Sequence, residues 1–86
     1  MSNNYKVCGY DKDNDTYETI DTYDNKEDAV QKLAAITAAH LLKPIKRKSN
    51  GELFDWFNIF ENESDIIATG FTEIRGVRIA KIMLDP

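Results

Sequence analysis

The hydrophobic pattern changes period along the chain, and those changes divide it into elements. Tyr5-Lys6-Val7-Cys8-Gly9-Tyr10 has the aromatic and β-branched composition of a strand. Asp11-Lys12-Asp13-Asn14-Asp15 follows, a run of turn formers whose side chains bond to their own backbone. A second strand over residues 16–23 then completes a predicted β-hairpin. At Asp24-Asn25 a capping side chain is available, and Glu27 stands three residues after Asp24, as in a reciprocal capping box. Ala29, Val30, Leu33, Ile36, Thr37, His40 and Leu41 recur at three- and four-residue spacings, which predicts a helix with one apolar face. Pro44 ends it, because a proline pushes the residue before it out of helical geometry.

Beyond Pro44 the pattern alternates. Asn50-Gly51 is a strong hairpin signal and predicts a strand at 45–49 joined to a longer one at 53–61. A turn at Asn62-Glu63-Ser64 leads to a strand at 65–73, with a helical turn at 64–69 as the competing reading. Arg75-Gly76 turns the chain into a last strand at 77–84, whose alternation slips near Ala80-Lys81 as at a bulge. The expected fold is α+β, in the order ββαββββ. It is an antiparallel sheet with one helix packed on one face, forming a single domain over residues 1–86.

With 86 residues, such a domain buries only about 60–65 % of its unfolded surface, so its core is thin. Charged residues at 30 % and hydrophobic residues at 42 % belong to a folded globule, not a disordered tail. No stretch is long and apolar enough to span a bilayer, and the N-terminal residues lack a secretory pattern. Cys8 is the only cysteine, which excludes an internal disulfide and suits a reducing, cytoplasmic setting.

The net charge of −4 is unevenly spread. Residues 1–28 and 52–86 carry a surplus of acids, whereas 29–51 carry five bases and no acid. Lys43, Lys46, Arg47 and Lys48 form the basic cluster, a set that could contact phosphates and so raises a nucleic-acid reading. The same cluster could instead complement an acidic protein or simply mark the negative end of the helix.

The acids of residues 11–15 imitate the start of a calcium-binding EF-hand loop. Thr16 stands where that loop needs glycine and Thr22 where it needs a bidentate glutamate, so no metal is expected. His40 and Cys8 are single groups with no evident partners, glycines are scattered, and no cofactor motif is present; the expectation is a protein without catalysis or cofactor. On the long strand, Leu53, Phe57 and Ile59 point one way and Phe54, Trp56 and Phe60 the other. One helix covers only one sheet face, so an apolar second face either folds under other cover or meets a partner.

The first reading is therefore an interaction module using Tyr10, Asp11, Asp13, Asp15, Tyr17, Glu18, Phe54 and Trp56. Tyrosines among carboxylates suit a larger partner with a basic surface, and could occupy a protein's nucleic-acid-binding site as an inhibitor. No family resemblance reaches the level of a motif. Small size, acidity and missing catalytic groups are general features shared with inhibitors encoded by phages and mobile elements. The second reading is nucleic-acid binding through the basic cluster; either admits a homodimer and neither involves a membrane.

Overall fold

The computed structural model describes residues 4–85 and shows an α+β fold of two layers. Five strands form one antiparallel sheet: β1 (Tyr5–Asp11), β2 (Thr16–Tyr23), β3 (Trp56–Glu61), β4 (Asp65–Ile74) and β5 (Val77–Leu84). Their order across the sheet is β2-β1-β3-β4-β5, so β2 and β5 are the edges. One helix, α1 (Lys26–Leu42), is present among the described residues and lies across one face. Among the described residues no helix is long and apolar enough to cross a membrane.

Asn25, not Asp24, caps the helix: its side chain accepts from Asp28 N–H at 2.9 Å, and its amide donates back to the Asp28 carboxylate. The capping pair is thus the expected one displaced by a residue, with Asp28 taking the role expected of Glu27. Ala29, Leu33, Ile36, Thr37 and His40 are buried beneath the helix, as the spacing requires. They pack on Val7, Phe57, Ile59 and Ala68 from the sheet, while Leu41 is half-buried. Gly70 makes this approach close, and Gly9 makes room on the same face for the Phe54 ring. A methyl at Gly70 would lie 2.1 Å from Thr37 Oγ1, and one at Gly9 would lie 2.3 Å from the Phe54 ring.

The expected strand at 45–49 is absent, and the sheet has five strands instead of six. Only an isolated bridge, Lys46 to Leu53, remains of that hairpin. Between them the chain closes a turn, with Gly51 N–H donating to Arg47 O at 3.0 Å. The physical cause is long-range docking. Arg47 turns inward to pair with Asp11, and Glu18 accepts from the Lys48 and Ser49 N–H groups. A loop held side-on in this way cannot extend as a strand.

The rest of the C-terminal half follows the sequence pattern. Residues 65–73 lie within β4, so the helical alternative at 64–69 is not adopted. The β3–β4 and β4–β5 turns fall at Asn62-Glu63 and Arg75-Gly76, all four residues having positive φ. Phe71 faces Lys81 and Glu73 faces Arg78, so Ile79 and Ala80 together oppose Thr72. That extra residue is the bulge expected near Ala80-Lys81.

Candidate functional site

The face of the sheet opposite α1 is where the chemistry-bearing side chains collect. On β1, Tyr5, Val7 and Gly9 point toward the helix, so Lys6, Cys8 and Tyr10 point away. The strand register then lines up one row across the whole sheet: Tyr17, Tyr10, Trp56, Phe71 and Lys81. The Tyr10 ring stands 4.6 Å from Tyr17 and 4.7 Å from Trp56, nearly parallel to the indole. Trp56 continues to Phe71 at 5.9 Å, and Phe60 meets Tyr17 edge-on at 4.8 Å. These offset and edge-to-face geometries are the ones aromatic quadrupoles favour.

The rings are only partly enclosed. Tyr17 is 43 % exposed, and Tyr10, Trp56, Phe60 and Phe71 are half-buried. They roof a second row, in which Cys8 and Asn58 are buried although no helix among the described residues covers them. Asn58 donates to Thr69 Oγ1 at 2.9 Å, while its own Oδ1 has no partner. Burial pushes the Cys8 thiol up, which disfavours the thiolate. Beside Phe71 and Lys81 a shallow groove runs along Glu73, Ile74 and Met83.

Electrostatics tie one end of the aromatic row to the acidic hairpin tip. The Tyr10 hydroxyl donates to Asp15 at 2.6 Å, and that bond raises its pKa to about 12. Burial and the Asp15 charge also raise the Tyr17 phenol. Asp13 lies exposed at the tip beside them.

Tyr10, Asp15, Tyr17 and Trp56 therefore come together with Asp13 at their margin, whereas three other candidate residues do not join them. Asp11 is buried and paired with Arg47; its carboxyl is held low first by the Asn14 side chain, then by backbone N–H groups and Arg47. Glu18 lies on the helix side of the sheet, where it receives the loop N–H groups. Phe54, expected with Trp56, is 5 % exposed and packs on the helix side against Phe57. The bend at Asp55 causes the reversal, because β3 begins only at Trp56 and the alternation does not extend back to Phe54. Leu53 is exposed in its place.

Phe71 was not singled out by the sequence, although a signal for it exists. Ala68 and Gly70 are too small to serve as anything but the floor beneath a close helix, so Thr69 and Phe71 must face the other way. The basic cluster is also divided. Lys43, Lys46 and Lys48 are exposed, but Arg47 is committed to Asp11 in the interior.

Cys8 and His40 lie on opposite sides of the sheet: His40 packs edge-on against Phe57, and its Nδ1 accepts from Ile45 N–H at 2.8 Å. Burial lowers the imidazole pKa, consistent with a neutral ring that holds the loop. Among the described residues no group of three His, Cys, Asp or Glu side chains could hold a metal ion. Comparisons with family models, curated proteins and solved structures find no match to this chain.

Proposed function

We propose that this chain is a non-enzymatic interaction module that binds a larger protein through the uncovered sheet face. The supporting observation is the row of partly exposed rings, Tyr17, Tyr10, Trp56 and Phe71, on a face that no element among the described residues covers. Rigid aromatic side chains give contact area at low entropic cost and dominate binding hot spots. Asp13 and Asp15 at the margin favour a partner with a basic surface, such as a nucleic-acid-binding groove that the module would block. Inhibition of that kind fits a small cytoplasmic protein of the sort encoded by phages or mobile elements. Nucleic acid is the weaker alternative, because Arg47 has left the basic cluster for the interior.

The test is affinity capture from the native host with the wild-type chain and with a Tyr17→Ala/Trp56→Ala variant, both checked for folding by circular dichroism. A protein retained by the first and lost by the second is expected. Asp13→Lys should weaken its retention, as should added salt. Identical captured sets from both baits would reject the aromatic face as the binding surface.

A further inference from the structure

Strand β5 is an edge of a different kind from β2. The outer edge β2 carries Thr16, Thr19, Thr22, Glu18 and Asp21, and a register shift at Ile20 interrupts it. Acids and irregularities of this sort discourage pairing with another strand. On β5, by contrast, Val77, Ile79, Met83 and Leu84 are all exposed large apolar residues on eight residues of strand. An apolar edge with open backbone groups is a template for strand addition.

The backbone fixes which groups are open. Asp85 N–H donates to Ile67 O at 2.9 Å, and Thr69 faces Met83 while Phe71 faces Lys81. Bonding in an antiparallel ladder alternates, so residues 81, 83 and 85 bond inward to β4. The N–H and C=O groups of Ile82 and Leu84 consequently face outward, where no described strand lies. The bulge at Ile79-Ala80 ends the straight stretch on one side, leaving residues 81–85 as the regular outer edge.

Charge selects the occupant. Lys81 and Asp85 sit four residues apart on one face of this stretch, and neither has an ion-pair partner among the described residues. The centre of the stretch is Met83. An antiparallel copy related by a two-fold axis at Met83 would set each Lys81 directly opposite the other copy's Asp85, with Ile82 and Leu84 exchanging their outward backbone bonds. A two-fold axis at Lys81 would instead oppose two lysines. The pattern of opposite charges around a central apolar residue is thus satisfied by the same strand reversed.

We infer that two copies of this chain pair through β5, forming one ten-stranded sheet with its two-fold axis at Met83. This goes beyond the binding role of the aromatic face and stands on different residues. The pairing would extend that face across both copies, since Lys81 ends the aromatic row.

The experiment is sedimentation of the full chain over a concentration series up to about 1 mM. Mass should rise from the 9.8 kDa monomer to twice that value and stop there. Lys81→Glu alone should raise the dissociation constant roughly tenfold, since like charges then stand directly opposite at two symmetric sites. Lys81→Glu/Asp85→Lys should restore wild-type association. Leu84→Pro, which removes an outward N–H and leaves the β4 ladder bonded, should give a monomer with unchanged circular dichroism. A monomer at every concentration overturns the proposal. So does a mass that keeps growing, which would mean head-to-tail pairing of β5 with β2, and so does a charge swap that fails to restore the dimer.

Discussion

Substituting alanine at Gly70 tests the closest approach of helix and sheet. The added methyl would stand 2.1 Å from Thr37 Oγ1 and 3.2 Å from both Thr37 Cβ and Leu33 Cδ1. Thr37 and Leu33 are fully buried, so neither can swing into solvent to make room. Overpacking of this kind costs about 1–3 kcal/mol, reduced by about 0.4–1 kcal/mol because alanine restricts the unfolded chain more than glycine does. A net loss of about 1–2 kcal/mol is expected, a large share of the roughly 4–13 kcal/mol typical of a domain this size. The melting temperature should fall by about 5–15 °C.

The decisive measurement is a double-mutant cycle. Thr37→Ala removes the colliding hydroxyl, which has no hydrogen-bond partner in its buried position. Losing an unsatisfied hydroxyl and a methyl together should be close to neutral, within about 1 kcal/mol. In that background Gly70→Ala should cost at least about 1 kcal/mol less than in the wild type, well outside the roughly 0.3–0.5 kcal/mol scatter of independent sites. Thr37→Val keeps the bulk and should give no such relief. Urea unfolding followed by the fluorescence of Trp56, the only tryptophan, reads all four corners of the cycle. If Gly70→Ala costs the same with alanine at 37 as with threonine, the contact is not what requires glycine there.

His40 supplies a pH dependence of known sign. Its folded-state pKa is lowered, chiefly by burial, so the unfolded chain binds the proton more readily. Its contribution is therefore complete above the unfolded value near about 6.5 and is lost as pH falls below it. Denaturant midpoints should decline as pH falls below about 6.5, and His40→Gln should flatten that slope. Tyr10 should resist ionisation until about pH 12, and Asp15→Asn should lower that value in an ultraviolet titration by removing the carboxylate that holds its proton. Arg75 has φ 50° at the first position of a two-residue turn before Gly76. Arg75→Asn should raise stability by several tenths of a kcal/mol, because Asn-Gly is the preferred pair for this geometry, as thermal unfolding would reveal.

Local signals made most of the fold legible. The helix was visible because Ala29, Leu33, Ile36 and His40 repeat at its period, and the tight turns because asparagine and glycine tolerate positive φ. The bulge in β5 was visible as a break in alternation. The missing strand at 45–49 was not, because its fate is decided by residues far away in sequence. Asn50-Gly51 is compatible with a hairpin, but the Arg47–Asp11 pair and the Glu18 carboxylate bind the segment to the first hairpin instead. A short-range turn preference yields when long-range polar groups satisfy the backbone in another shape.

The same distinction explains the candidate site. Tyr10, Asp15, Tyr17 and Trp56 converge because strand register is periodic, and periodicity can be read from a sequence. Asp11, Glu18 and Phe54 fall elsewhere because a loop and a bend displace them, and neither is periodic. Asp11 and Glu18 hold the 47–51 loop and Phe54 fills the space over Gly9, so the fold consumes the side chains that could serve its interior. What remains on the far face is a continuous row of rings with orphaned Asn58 Oδ1 beneath it, and among the described residues one helix serves two sheet faces. Covering that row would require a second apolar layer, which is the role assigned to the partner in the proposed function.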